Sequence, residues 1–271
     1  MFKSVKSSLK GWLVVSSWWL VAKLPLAWQQ ALAKQLAKLA WRFAKREEHI
    51  SQVNLNLCFK ELSTTEKEDL ALASFQQQAC TLVEMGYVWL APKQKVLNSL
   101  VSVSGIEEVL AAQDAKQPVI ILAPHLGQWE LIAFWLSYYR NFTFMYSPPD
   151  SKQVDALMRA GRSRTGGQLV AADLKGVAGL LKALRKGGLV GILPDQVPNR
   201  GQGGVLAPFF GQPALTATLL PKLVEKTKAQ VFTCVALREP QGKGFNLVFQ
   251  PADARVYSAN EEEAAAGVNA S

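Results

Sequence analysis

The sequence predicts an α/β fold: a central, mostly parallel sheet covered by helices, entered through an N-terminal membrane-anchoring helix. Three observations carry this. Short strand-like runs recur at 119–123, 142–146, 168–171, 189–193, 231–237 and 245–249, helical segments at 131–139, 152–162, 174–186 and 214–228 lie between them, and an uncharged, tryptophan-rich run opens the chain. Strand and helix in alternation favour parallel pairing, because a crossover helix returns the chain to the same end of the sheet. At 271 residues and 49% hydrophobic composition, the chain can bury one substantial core without disulfide or metal staples.

The opening run GWLVVSSWWLVA (11–22) carries no charge, and beyond Lys23 the segment LPLAW extends it to Trp28. Twelve uncharged residues are too few to span a bilayer, but about eighteen, interrupted by one snorkelling lysine, can span with some strain. The expected division is therefore a membrane anchor over 1–30 and a catalytic-size α/β domain over 31–271. No small-residue cleavage site follows, so a retained anchor is expected rather than a removed signal peptide.

A basic amphipathic helix is expected over 31–46. Leu32, Leu36, Leu39 and Phe43 share one face, and Lys34, Lys38, Arg42 and Lys45 cluster roughly opposite. Such a pattern also describes an ordinary surface helix, but Trp28 and Trp41 as interfacial anchors favour membrane contact. If the opening segment spans, the basic residues after it put the body on the cytoplasmic side. Ser63-Thr64-Thr65-Glu66 then has the form of a capping box, opening a helix that runs to about Trp89.

Lys plus Arg number 30 against 21 Asp plus Glu, an excess of nine, which favours an anionic partner: nucleic acid, acidic lipid headgroups or an acidic carrier protein. Nucleic acid is disfavoured, because the positive residues cluster beside an apolar anchor instead of interleaving with exposed aromatics. Cys58, Cys80 and Cys234 are odd in number and widely spaced, which reads as structural thiols in a reducing compartment. Two histidines and isolated cysteines offer no metal ligand set.

The chemistry concentrates in three places. His125 follows the buried-looking run VIILAP and stands in PHLGQWE before an apolar helix. On a continuous helix Glu130 would point away from it, but with His125 on the strand-to-helix loop and Glu130 in the first helical turn the carboxylate can accept the imidazole N–H. A histidine that merely caps the helix remains the alternative. The second place is Arg159, Gly161, Arg162, Arg164 and Gly166-Gly167, which reads either as a phosphate clamp or as a solvated helix end. The third is Asp195 at the end of the strand in GLVGILPDQ, where α/β enzymes place polar site residues, or where an Asp simply caps a loop. The QVPNR loop that follows, with Arg200 in it, has no assigned role.

Taken together, PHLGQWE, VNLNLCF (53–59) with Glu61-Leu62-Ser63, the Gly161–Arg164 element, ALRKGGLVGILPDQ and APFFGQPALTAT resemble the bacterial lipid A biosynthesis acyltransferases, the late lauroyl and myristoyl transferases related to the glycerolipid acyltransferase superfamily. The resemblance covers nearly the whole chain. It implies a single anchor in the bacterial inner membrane, a cytoplasm-facing catalytic body, no cofactor, and laurate- or myristate-class transfer from acyl-acyl carrier protein. The acceptor it implies is a hydroxyl of an under-acylated lipid A precursor, on a hydroxyacyl chain of the phosphorylated glucosamine disaccharide. His125 and Glu130 match the catalytic motif, with His125 as general base oriented by Glu130. Arg162 and Arg164 match an arginine element that would bind phosphate, Asp195 would support that arginine or a sugar hydroxyl, and N–H groups near Gly127 would face the oxyanion. Family members commonly continue through a further basic, aromatic segment where this sequence reads EEEAAAGVNAS. A glycerophospholipid or inositol-mannoside acyltransferase is the neighbouring alternative, and a non-catalytic basic membrane-binding protein the alternative from another class.

Overall fold

A computed structural model describes residues 2–198 and 203–271, with side chains from residue 10 onward. Arg200 and Gly201 lie outside the described residues. Helices α1 (Phe2–Val21), α2 (Leu26–Trp41), α3 (Lys45–Cys58) and α4 (Thr64–Leu90) precede the short α5 (Lys93–Leu97) and β1 (Leu100–Ser104). The alternating part follows: α6 (Glu107–Asp114), β2 (Val119–Leu122), α7 (Trp129–Tyr139), β3 (Phe142–Tyr146), α8 (Lys152–Ser163), β4 (Gln168–Ala171), α9 (Leu174–Leu184) and β5 (Leu189–Ile192). A hairpin of β6 (Gly204–Phe209) and β7 (Gln212–Ala217) leads to α10 (Leu219–Thr227), β8 (Gln230–Arg238), β9 (Phe245–Pro251) and α11 (Glu261–Ala270).

The main sheet has seven strands in the order β1-β9-β8-β2-β5-β3-β4. Every neighbouring pair is parallel except β8 with β9, so the mostly parallel α/β sheet expected from alternation is what forms. Its central strands β2 and β5 are buried along their whole length, as strands covered on both faces must be. Successive residues divide between two cores: Val119 and Ile121 pack with α6 and α7, whereas Ile120 and Val190 pack with Leu180, Leu184, Leu220 and Leu223 of α9 and α10 on the other face.

The Ser63 capping box forms, with Oγ accepting from Glu66 N and the Glu66 carboxylate accepting from Ser63 N. The helix expected over 214–228 begins only at Leu219, because 212–217 pairs with 204–209 in the hairpin, where Pro213 sits on a two-stranded edge. Cys80 and Cys234 are buried thiols and Cys58 is half-buried. Burial pushes the Cys234 thiol well up from its ordinary value.

Two expectations for the N-terminus are corrected. Among the described residues no helix is long and apolar enough to cross a membrane. The uncharged stretch of α1 lies between Lys10 and Lys23 and is about 18 Å long at 1.5 Å per residue, against roughly 30 Å of hydrocarbon. Instead α1 lies against the body: the Trp18 indole N–H donates to Leu82 O at 2.6 Å, and its ring meets Trp89 edge-on at 5.3 Å. Gly86 of α4 makes room, since a Cβ there would lie 2.8 Å from Trp18 Cβ.

The amphipathic helix expected over 31–46 is two helices, α2 ending at Trp41 and α3 beginning at Lys45, and nothing in the residues between explains the break. Its orientation is the reverse of an ordinary surface helix. Ala33 and Ala37 are buried, with α2 laid against α4, while Leu32, Leu36, Leu39 and Phe43 face outward. Small side chains let the two helix backbones approach closely, which leaves the leucines outside. Trp41, expected as an interfacial anchor, packs on Phe75 at 5.0 Å, whereas Trp28 is exposed.

Leu184, fully buried on the α9 face of the sheet, tests the closure of that core. Leu184→Ala is expected to lower unfolding free energy by about 2–5 kcal/mol in urea titrations. A loss of a few tenths would contradict close packing there.

Candidate active site

β2 and β5 are adjacent and parallel, with Leu122 opposite Ile192, so both strands deliver their loops to the same edge of the sheet. One loop carries His125 and the other Asp195. The Asp195 carboxylate takes two donors from one residue: His125 N donates to Oδ2 at 2.9 Å, and the His125 Nδ1 position is 2.9 Å from Oδ1. An ionised carboxylate can only accept, so Nδ1 carries the proton and Nε2 presents its lone pair. Nε2 faces outward, 3.3 Å from the side-chain nitrogen of Gln196, and the Trp129 ring stands edge-on to the imidazole at 4.9 Å. Both His125 and Asp195 side chains are about one-third exposed, at 30% and 36%.

Desolvation is the largest influence on Asp195 and pushes its pKa up. The side-chain hydrogen bond from His125, the backbone hydrogen bond from His125 and the imidazole charge together outweigh it, so the carboxyl lies below its ordinary value. Asp195 therefore orients His125, where an arginine or a sugar hydroxyl was the expected partner.

Glu130 is the main correction. It does sit in the first turn of α7, but its carboxylate is buried and does not meet the imidazole. Arg162 of α8 donates to it from Nε at 3.0 and 3.2 Å and again from Nη2, and the Trp89 indole N–H donates to Oε2 at 3.0 Å. The physical reason is direction: from the opening of α7 the side chain points inward between α4 and α8, while His125 projects from the loop toward the end of β5. Breaking such a buried pair by removing one partner typically costs about 3–5 kcal/mol. Gly161 lets α8 close onto α4, since a Cβ there would lie 2.6 Å from Trp89 Cβ.

The expected phosphate clamp is spent internally. Arg162 is committed to Glu130, with its side chain 10% exposed. Arg164 donates from Nη1 to Ala91 O and from Nη2 to Val88 O, both at 2.7 Å, so it caps the C-terminal end of α4. Arg159 of the same element keeps a half-exposed side chain, bonded to Asp155 and placed 4.6 Å over the Tyr146 ring at the end of β3.

Gly127 adopts φ +65° and lies so close to β8 that a Cβ would be 2.0 Å from Ala236 O. Of the loop N–H groups, those of His125, Leu126 and Gln128 are already committed, to Asp195, Pro124 O and Ala236 O.

Sequence reading missed Trp89, Glu84 and Arg238, which hold this loop and its carboxylates. The signal available was Glu84, an acid inside the otherwise apolar run TLVEMGYVWL. An apolar cavity between α1 and α4, lined by Val15, Ser16, Trp19, Leu20 and Leu90, shares no residue with the His125 cluster.

A family model described as bacterial lipid A biosynthesis acyltransferase matches residues 2–270. The chain is 30% identical to the lipid A biosynthesis lauroyltransferase of Escherichia coli (strain K12) over 259 residues, covering 95% of this chain and 83% of that protein. It is 27% identical to the lipid A biosynthesis palmitoleoyltransferase of the same strain, with the same coverage. Against that strain's lipid A biosynthesis myristoyltransferase identity is 23%, over 88% of this chain and 73% of the other.

Because the Asp195 pKa is lower in the folded protein than in the open chain, its contribution to stability is present above about 3.9, the unfolded value, and is lost as pH falls through the folded value. The difference in unfolding free energy between wild type and Asp195→Asn should therefore be full at neutral pH and shrink in the acid range. A difference that grows on acidification would contradict the His125 contact.

Proposed function

This chain belongs to the bacterial lipid A biosynthesis acyltransferase family, and from that premise we propose that it moves a laurate- or myristate-class acyl group from acyl-acyl carrier protein to a hydroxyl of an under-acylated lipid A precursor, with His125 as general base. The observation that carries the reading is the bidentate hold of Asp195 on His125, which leaves Nε2 as an outward-facing acceptor at the carboxyl edge of the sheet.

An acceptor hydroxyl is a weak nucleophile at neutral pH, so its proton must leave as its oxygen attacks the thioester carbonyl. Nε2 takes that proton, displacing Gln196 from its place beside the ring. Asp195 stabilises the imidazolium that results. The tetrahedral intermediate then expels the carrier thiolate, which recovers the proton from Nε2, and an ester and a free thiol remain. With the neighbouring N–H groups committed, the donors assigned to the oxyanion are Gly127 N–H and the opening turn of α7, where the helix dipole also favours negative charge. Glu130 acts through Arg162, which lies 5.5 Å over the Trp129 ring that flanks the imidazole. Arg159 is the arginine assigned to the acceptor phosphate, and the net positive charge suits an acidic carrier protein.

The same proposal places the protein at the cytoplasmic face of the bacterial inner membrane. Trp12, Leu13, Trp19 and Leu20 of α1 and Trp28, Leu32, Leu36 and Leu39 of α2 are exposed, large apolar side chains of the kind that mark a membrane-contacting surface. It fits the headgroup boundary of a bilayer, with the basic residues of α2 beside it.

Two outcomes are expected. His125→Ala should lower turnover of lauroyl-acyl carrier protein and a bisphosphorylated, tetra-acylated glucosamine disaccharide by roughly 100-fold or more; wild-type rate in the variant would remove the mechanism. Trp28→Asp combined with Leu36→Asp should abolish flotation with liposomes containing anionic phospholipid, and undiminished flotation would reject this face as the membrane contact.

A further inference from the structure

Resting on the acyl-transfer reading above, we propose that the buried Glu84–Arg238 ion pair, together with Thr81, is the positioning device of the reacting loop. It fixes the Gly127–Gln128 peptide and, through it, the pose of His125 against Asp195.

The sheet creates the need for such a device. β2 ends at Leu122, opposite Thr233, while its neighbour β8 runs on to Arg238. The chain beyond β2 bonds first toward β5, Ala123 N donating to Ile192 O, and meets β8 again at a single bridge between Gly127 and Ala236. There the loop must stop and turn into α7. What stops it comes from α4, where Thr81 and Glu84 stand one turn apart on one face, and from Arg238.

Glu84 is fully buried and the Arg238 side chain is 10% exposed. Arg238 Nε donates to both Glu84 oxygens at 2.8 and 2.9 Å, and Nη2 reaches Thr81 Oγ1 at 2.5 Å and Gly127 O at 3.3 Å. The single proton of the Thr81 hydroxyl has two acceptors in reach, Gly127 O at 2.9 Å, the shorter contact, and Gln77 O at 3.1 Å. The Gly127 carbonyl thus faces two donors from two different elements. On the other side of the same peptide, Gln128 N donates to Ala236 O at 2.9 Å. The Gln128 side chain is wholly buried and donates to Glu84 Oε2 and to Thr81 O, both at 3.2 Å.

A peptide held at its oxygen and its nitrogen cannot rotate. His125 is therefore tethered twice, by Asp195 directly and by this clamp two residues further on. The positive φ of Gly127 and the backbone contact at Ala236 O let the clamp close completely. Stability alone does not account for the arrangement. Burying an ion pair is a poor route to stability, since apolar residues of similar volume are often as good or better. Here the pair also reaches helix neighbours, Glu84 Oε1 accepting from Gln30 Nε2 at 2.8 Å and Arg238 Nη1 donating to Gln77 Oε1 at 3.2 Å, but Arg238 Nη2 and Glu84 Oε2 end on Gly127 and Gln128 of the loop that carries the base.

The test uses the full chain, with Thr81→Val, Thr81→Ser, Arg238→Lys and, as a stability control on the opposite face of the sheet, Leu184→Ala. Activity is read with lauroyl-acyl carrier protein and the bisphosphorylated, tetra-acylated glucosamine disaccharide. Thr81→Val and Arg238→Lys should lower kcat about 10- to 100-fold, the scale of a slightly misplaced reacting group. KM for both substrates should stay close to wild type. Thr81→Ser, which keeps the hydroxyl, should restore kcat, and Leu184→Ala should lower the melting temperature without lowering kcat.

An activity-independent arm reads the imidazole by NMR. His49 and His125 are the only histidines, so their signals are assignable with one substitution. In Thr81→Val the His125 Nδ1–H signal should shift or broaden while His49 is unmoved. If kcat and the His125 spectrum both match wild type in Thr81→Val and Arg238→Lys, the clamp has no positioning role and the proposal is overturned. If the wild-type protein transfers no acyl group, the reading it rests on fails, and the His125 spectrum still decides whether Thr81 and Arg238 hold the imidazole.

Discussion

The parallel pairing of β2 with β5 is the constraint on which the site depends. It brings the chain to one edge of the sheet twice, and only there can His125 and Asp195 share two hydrogen bonds across 70 positions of sequence. Were β5 displaced by one place in the sheet, the imidazole would lose both its tautomer and its orientation. The burial of both strands on both faces is what holds that order, because each has a core to fill above and below.

Two carboxylates near one histidine divide the work by environment. Asp195 is partly solvated and meets the imidazole, and its charge is favoured because His125 donates to it twice. Glu130 is sealed inside, and its carboxylate is hydrogen-bonded by Arg162 and the Trp89 indole. That inward pair fixes α7 against α4 and α8, and so fixes the wall against which the imidazole rests. The acidic residue nearest in sequence is structural support, and the one distant in sequence is the direct partner.

The apolar surface follows an equally simple rule. α2 packs through its alanines because two helices approach most closely where side chains are smallest, and the leucines are left outside. Exposed tryptophans on α1 extend the same character. A face of this kind is unfavourable in water, which is why the proposed function seats it at the boundary of a lipid layer.

By itself the sequence determined the local structure: the strand runs, the Ser63 capping box, the break between strand and helix at His125, and the α/β class that alternation requires. It also singled out His125 and Asp195, since both end apolar runs where a parallel sheet gathers its loops. It could not say which carboxylate reaches the imidazole, that Arg162 and Arg164 turn inward, or that α2 shows its leucines to the outside. It singled out neither Glu84 nor Arg238, which stand 154 positions apart. Periodicity and capping act over a few neighbouring residues and are written in order along the chain. Side-chain partnership depends on strand order and helix direction, and these are settled only when the whole sheet has assembled.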